Sequence, residues 1–431
     1  MNQNFVIGLT GRFGAGSTTT ANLILSRKEN DFVYFSLSDF IKETAKKQRG
    51  FLKKKEKEKR VALQDIGDTF RKKDPSFLVN KKLQDIKRKL TKKNVLVDSI
   101  RNDKEVDALR NNFPNFFLFA IDASTESRWQ RLKKLYGDDR GQFDLDDKRD
   151  AGGEEEPSNG QQVKKCMEIA DVLINNDRNY SETQGADPVE EYGQKIERYI
   201  KLIKNPGFKD PNFDELYMHH ACSVALRSLC RKRQVGAVIV KEAKKFIKGK
   251  LEDAPREVVE NFLLASGCNN VPIGDYPCGF EKGSKDCYRD LCKKQYIKES
   301  KYCRKCGHKL SGELSKCKSC GERIWNVPGK ILDLCKAIHA EEAAIIQAAK
   351  LGIAIDETML YTSTFPCALC SKKIVGSGIK KIIYLEPYPM KDSLEILQRC
   401  DTLVNKYEGV NSRAFVRLFL REIEDEKGGL K

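Results

Sequence analysis

No apolar run in this 431-residue chain approaches the roughly 18 residues that a helical membrane span needs. The longest candidates, such as Phe116 to Ile121, are strand-sized. The first residues, Met1 to Gly8, lack the basic start and small-residue cleavage site of a secretory signal, so a cytoplasmic, membrane-free protein is expected. No internal repeat is visible. Apolar material is not scarce: 40% hydrophobic residues suffice for packed cores and argue against global disorder. The length suggests two or three domains.

Acidic residues are outnumbered, 62 against 79 Lys+Arg, which leaves a formal charge of +17. That excess favours anionic partners (nucleic acid, nucleotides or phosphorylated metabolites) without choosing among them. Much of it is local. Lys46-Lys47-Gln48-Arg49 and Lys53 to Arg60, broken by Glu56 and Glu58, alternate at helical spacing and predict a solvated helical arm. Fifteen cysteines could mean disulfides, but six fall in Cys-x-x-Cys pairs: Cys303/Cys306, Cys317/Cys320 and Cys367/Cys370. Such pairs place two thiolates on one metal, so the cysteines point to metal binding.

Up to about residue 205, short apolar runs alternate with amphipathic helical patterns. The runs are Phe5 to Leu9, Phe32 to Phe35, Val95 to Val97, Phe116 to Ile121 and Val172 to Ile174. This is the pattern of an α/β domain, a parallel sheet with helices on both faces. Asp146 to Gly160, acidic and Gly-rich, is expected to be a mobile loop. Asn205-Pro206-Gly207 and Asp210-Pro211-Asn212 mark a linker at 206–212. A second α/β domain then fills 213–431. It has a helix from Asp214 to Cys230, a strand Val235 to Val240, a helix from His339, a strand Met359 to Thr362, a helix from Cys367 and a strand Ile382 to Leu385. A Cys/Lys-rich insert interrupts it at about 278–326.

The most specific motif is His339-Ala340-Glu341 followed by Pro366-Cys367-Ala368-Leu369-Cys370, the H-x-E…P-C-x-x-C signature of zinc nucleobase deaminases. His339, Cys367 and Cys370 supply three ligands and leave a fourth tetrahedral position for water, the mark of a catalytic zinc. Zinc brings the pKa of that water to roughly 7, and the resulting hydroxide is expected to attack C4 of a cytosine ring. Glu341 would carry protons from water to ring N3 and to the leaving amino group without binding metal. The alternative is a structural Cys₂His zinc with a chance glutamate.

On these residues, the segment from about Leu216 to Leu385 resembles the CMP/dCMP-type deaminases. Arg233 to Val240 is similar to that family's first strand with its lead-in, and Ser266 to Pro272 to its G-Y-N-G-V-P turn, with Cys268 and Asn270 departing from the Tyr and second Gly. The resemblance implies that Asn269 contacts the substrate sugar.

Within the insert, Cys303-x₂-Cys306-x₁₀-Cys317-x₂-Cys320 carries two knuckles, each followed by glycine. Four thiolates make a closed site, so this zinc is structural and its binding is coupled to folding of the insert. The ribbon could read nucleic acid or serve as a rigid clip. Cys278, Cys287 and Cys292 could add a further site or stay reduced thiols.

Gly11-Arg12-Phe13-Gly14-Ala15-Gly16-Ser17-Thr18 fits the P-loop pattern between a strand and a helix, except that Ser17 stands at the lysine position. Gly11, Gly14 and Gly16 let backbone N–H groups converge on phosphate, and Thr18 can bind Mg²⁺, so a nucleoside triphosphate with Mg²⁺ is the expected ligand. The cation that phosphoryl transfer leans on is missing. Val95-Leu96-Val97-Asp98 suits a Walker-B-type role, and Arg128, Arg131 and Arg140 resemble the approach to a nucleoside-kinase lid or form surface salt bridges.

A lysine-poor P-loop, a ribbon-bearing insert and a deaminase signature in one chain together resemble the bacterial anti-phage dCTP deaminases. That resemblance implies deamination of dCTP and/or dCMP, depletion of dCTP during infection, restraint by a small inhibitory RNA, and a homo-oligomer. Three other readings stay open: a housekeeping dCMP deaminase with an allosteric nucleotide domain, a polynucleotide editing deaminase, and a nucleotide-gated sensor.

Overall fold

A computed structural model describes residues 4–27, 31–48, 51–53, 56–152, 160–177, 188–247, 256–278, 286–292, 303, 305–309, 316–321, 335–387 and 391–421. Its contacts divide the chain into two units, one of residues 1–215 with 408–431 and one of residues 216–407.

The first unit is built on the expected parallel sheet. Its strands are β1 (Val6–Gly11), β2 (Phe32–Ser36), β3 (Asn94–Asp98), β4 (Phe116–Asp122) and β5 (Val172–Asn175). Strand β1 pairs in parallel with both β3 and β4, β2 joins β3, and β5 joins β4. The middle strands read as unbroken apolar runs because both faces are covered: all six residues of β1 are buried. A sixth strand, β11 (Gly409–Val410), closes the sheet antiparallel to β5.

That last strand lies some 230 residues after β5, as the numbering of the two strands shows. The expected second domain ran to residue 431, whereas residues 408–421 return to the first unit. The reason is burial. Val410, Ala414 and Leu418 join the core that holds Ile7, Phe119 and Ile200. Glu215, fully buried, fastens both ends of this crossing. It accepts two bonds from Arg198 (2.8 and 2.5 Å), one from the Asn212 N–H (2.9 Å) and one from the Val410 N–H (3.1 Å).

The 216–407 unit carries a five-stranded sheet in the order β10-β9-β8-β6-β7. The strands are β6 (Gly236–Ile247), β7 (Arg256–Cys268), β8 (Met359–Thr364), β9 (Lys381–Glu386) and β10 (Leu403–Lys406). Strand β6 is antiparallel to β7 and β8, while β8, β9 and β10 run parallel. The helices Ala340–Lys350 and Ala368–Gly376 lie on it, packed through Ala344, Ala348 and Ile374. Gly267 of β7 makes the first of these contacts possible. A Cβ there would fall 2.4 Å from Ala344 N and 2.5 Å from Ala340 O, so only glycine lets the helix backbone approach this closely.

One expected loop is partly helix. Residues Arg140–Ala151 form a helix whose Asp146, Asp147 and Asp150 are buried, because each faces an arginine. The rest of that stretch, 153–159, lies outside the described residues. Nor is the basic arm solvated throughout. The helix Glu56–Lys73 turns Arg60 inward, with its Nε 3.7 Å from Asp146 and its guanidinium 3.1 Å over the Phe13 ring.

Candidate metal centre

His339 and Cys367 each stand immediately before a helix, at the position where the first turn begins. Cys370 follows one turn into the second helix. The positive end of that helix favours thiolate there. The Nδ1 of His339 is 3.3 Å from the Sγ of both Cys367 and Cys370. A nitrogen at ~2.0–2.1 Å and a sulfur at ~2.3 Å from one tetrahedral zinc would be separated by about 3.5 Å. The donor set therefore fits zinc in kind and in spacing, and all three ligand atoms lie within 4.8 Å of one another.

The electrostatics single out Cys367 as the thiolate of the group. The Cys370 thiol and the His339 ring hold Cys367 down at about 4, in the thiolate form that metal takes. Cys370 is raised in return, since it keeps the proton the pair shares. Contacts with the Cys335 and Cys367 side chains lift His339 to about 10. Glu341, in the first turn of the Ala340–Lys350 helix, is buried, and that burial pushes its carboxyl above the usual range. A carboxyl poised to hold a proton beside the ligands is what proton transfer at this site needs.

These residues open into a cavity of about 280 Å³ lined by Lys232, Arg233, Asn269, Arg289, Cys335 and Phe365, among others. Asn269 is present at its wall, yet its amide is engaged. Oδ1 accepts from Val235 N–H (2.7 Å) and Nδ2 donates to Arg233 O (2.9 Å), which fixes the lead-in to β6. Lys232 and Arg289 were not singled out from the sequence. Lys232 falls within a basic triplet, Arg231-Lys232-Arg233, just before a buried strand, and that placement was the available signal.

The four ribbon cysteines also come together. Cys303 and Cys320 are 3.8 Å apart at sulfur and Cys306 and Cys317 are 3.6 Å apart. The edge of a tetrahedron of thiolates at ~2.3 Å is about 3.8 Å. Gly307 and Gly321 take positive φ (69° and 70°), and their N–H groups return to Cys303 O and Cys317 O, closing two matching knuckles. Backbone amides, that of Cys320 foremost, draw Cys317 down to about 6. Among the described residues, Cys278, Cys287 and Cys292 join neither group.

In the first unit, Gly11 to Thr18 connects β1 to the helix Ser17–Ser26, with Gly14 and Gly16 at φ 79° and 101°. The protein itself holds this loop. Arg131 donates to Gly14 O (3.1 Å) and Ala15 O (3.3 Å), Asn176 donates to Ala15 O (2.6 Å), and Phe13 N–H is taken by Asp150 (2.8 Å). Arg128 is fully buried, paired with Asp147 and bonded to Phe13 O. Ser17 and Thr18 begin the helix, and Thr18 is exposed. Asp98 ends β3 as expected, with its carboxylate engaged by Tyr34 OH (3.1 Å) and Ser99 N–H (2.6 Å). Arg140 is a surface pair with Glu126 (3.0 Å).

Residues 211–386 match the family model of the cytidine and deoxycytidylate deaminase zinc-binding region. The deoxycytidylate deaminase of Schizosaccharomyces pombe (strain 972 / ATCC 24843) is 28% identical over 244 residues, 56% of this chain and 54% of that protein. That of Saccharomyces cerevisiae (strain ATCC 204508 / S288c) is 27% identical over 198 residues, 46% and 45% respectively. The chain thus spans about half the length of the curated relatives it matches. The apo crystal structure of the dCMP deaminase from cyanophage S-TIM5 aligns with 46% of this chain and 100% of its own, at 22% identity and a TM-score of 0.26. Over residues 211–386, then, the chain is similar to the zinc-binding region of the cytidine and deoxycytidylate deaminases.

Proposed function

We propose that the chain hydrolyses the exocyclic amino group of deoxycytidine nucleotides, dCTP and/or dCMP, releasing ammonia and deoxyuridine nucleotides. The observation that carries this reading is the triangle of His339, Cys367 and Cys370 with buried Glu341 beside it. Zinc bound there supplies an activated water. Glu341 takes a proton from water and delivers it to ring N3; it then takes the remaining proton from the hydroxyl on C4 and passes it to the amine, so that ammonia leaves and the C4 carbonyl remains. Arg289 lines the same cavity beside Lys232 and Arg233, which are paired with Asp290 and Glu386, and this basic wall suits a phosphorylated substrate better than a free nucleoside. Asn269 holds the cavity wall in register for the sugar.

The first unit serves, in this reading, as a nucleotide-binding regulator. The glycine conformations of the P-loop are kept, and Thr18 is free to meet Mg²⁺, while Ser17 leaves no cation for phosphoryl transfer. The resemblance noted above extends the proposal to dCTP depletion in anti-phage defence, in the cytoplasm, by a homo-oligomer restrained by a small RNA. An ammonia-release assay with dCMP, dCTP and cytidine-containing oligonucleotides, each with and without ATP, tests it. Release from either mononucleotide, altered by ATP, is expected. Release from oligonucleotides alone would replace the proposal with an editing function, and release indifferent to ATP would remove the regulatory half.

A further inference from the structure

On the sheet edge opposite the P-loop, the first unit has a second cavity, about 260 Å³, at the N-terminal ends of β4 and β5. Its lining is cationic. Arg110 comes from the end of the helix Asp103–Asn112, and Arg413 and Arg417 come from the returning helix Ser412–Phe419. Three guanidinium groups face one carboxylate, Asp171. That carboxylate is already committed: Arg110 donates to both its oxygens at 3.2 Å, and Leu118 N–H donates to one at 2.7 Å.

Neither of the other two arginines forms an ion pair among the described residues. Arg417 lies 3.9 Å over the Phe117 ring and donates only to neutral acceptors, Pro114 O (2.9 Å), Asn115 Oδ1 (3.1 Å) and Phe116 O (3.5 Å). Partial burial lowers its pKa, with the charge of Asp171 acting in the opposite direction. Arg413 is exposed and makes no hydrogen bond or ion pair among the described residues. Two guanidinium groups outside any ion pair, both on one face of a helix four residues apart, converge on a concavity large enough for a small molecule.

We infer that this cavity is an anion site for a small phosphorylated molecule carrying at least two negative charges, a phosphate monoester or pyrophosphate group. Planar guanidinium forks suit phosphate oxygens, and a concavity of about 260 Å³ has the size of one compact phosphorylated ligand. Such a ligand would bridge Arg110, which precedes the inserted 216–407 unit in the chain, and Arg413 and Arg417, which follow it. Binding would clamp the return segment onto the sheet it completes.

The test is calorimetric titration of the full chain with pyrophosphate, comparing the unaltered protein with Arg413→Glu and Ser17→Glu. Arg413 has no partner to lose, so its variant keeps the fold, while Ser17→Glu places a negative charge in the P-loop cradle. The site is supported if Ser17→Glu retains a binding component that Arg413→Glu weakens at least tenfold. It is overturned if the Arg413→Glu isotherm superimposes on that of the unaltered protein, or if Ser17→Glu alone removes all binding. Tighter, Arg413-dependent binding of a single-stranded oligonucleotide at equal phosphate concentration would overturn the small-molecule assignment.

Discussion

Glu215→Gln should destabilise the first unit while leaving the metal centres intact. The carboxylate accepts four hydrogen bonds in a fully buried position, two of them from Arg198. An amide can keep one oxygen, but its NH₂ would confront donors that it cannot satisfy, and Arg198 would lose its charge partner. Breaking a buried pair from one side costs about 3–5 kcal/mol. Arg198 keeps 20% of its side chain exposed, so the lower end applies, about 3 kcal/mol, a substantial part of the ~5–15 kcal/mol that holds a domain folded. Urea unfolding followed by the emission of Trp129, in a Trp325→Phe background so that one indole reports, measures this directly. Zinc content, measured in parallel, should not change. Replacing Arg198 with Met in the same chain should recover part of the loss, because the orphaned charge goes with it. A midpoint within ~0.5 kcal/mol of the parent, the usual size of an inconsequential surface change, would refute the role of Glu215 as the fastening between β11 and the rest of the unit.

Glu341→Gln should cut ammonia release by at least ~10² with zinc retained, since Glu341 is not a ligand; comparable activity would remove it from proton transfer. Replacing Cys303 and Cys306 together with serine should lose about one zinc equivalent and lower the melting temperature, because the insert's folding is coupled to its metal. Unchanged metal stoichiometry would show that the ribbon carries none. Gly267→Ala should cost about 1–3 kcal/mol by overpacking and reduce kcat, because its Cβ would displace the helix that carries Glu341. A variant with wild-type stability and turnover would refute that close approach.

The cluster of His339, Cys367 and Cys370 was legible in the sequence because each of its two motifs is local. Short spacing sets a histidine two residues before a glutamate and two cysteines one turn apart at a helix start, and the sheet beneath the two helices brings them to one metal. The ribbon was legible for the same reason. Strand β7 was not, since Glu257, Glu260 and Asn261 interrupt its apolar pattern and its pairing with β6 extends through the charged stretch past Val240. The polar run around Asp146 read as loop because polarity normally means solvent. In the fold, Asp146, Asp147 and Asp150 are buried against arginines from four distant segments, a tertiary pairing that no local pattern encodes.

The insertion of one unit into the other was hidden for a related reason. Two residues of β11 carry no periodicity, and a short helix after them looks like the tail of the preceding domain. What returns the chain to the first sheet is a long-range match: Val410 opposite Val172 in the ladder, and Asn411 N–H to Asp171 O at 2.8 Å. Asp171 thereby serves three contacts at once, to the strand edge through Leu118, to Arg110, and to the returning chain. The same geometry makes the arginine cavity possible. Only when the last segment folds back do Arg413 and Arg417 stand beside Arg110. A ligand there would therefore bind the completed first unit and not its N-terminal portion alone, so its affinity would report directly on closure of the sheet by β11. Truncation at residue 407 should then abolish pyrophosphate binding at this cavity in the same step that it removes the fastening of Glu215 to Val410.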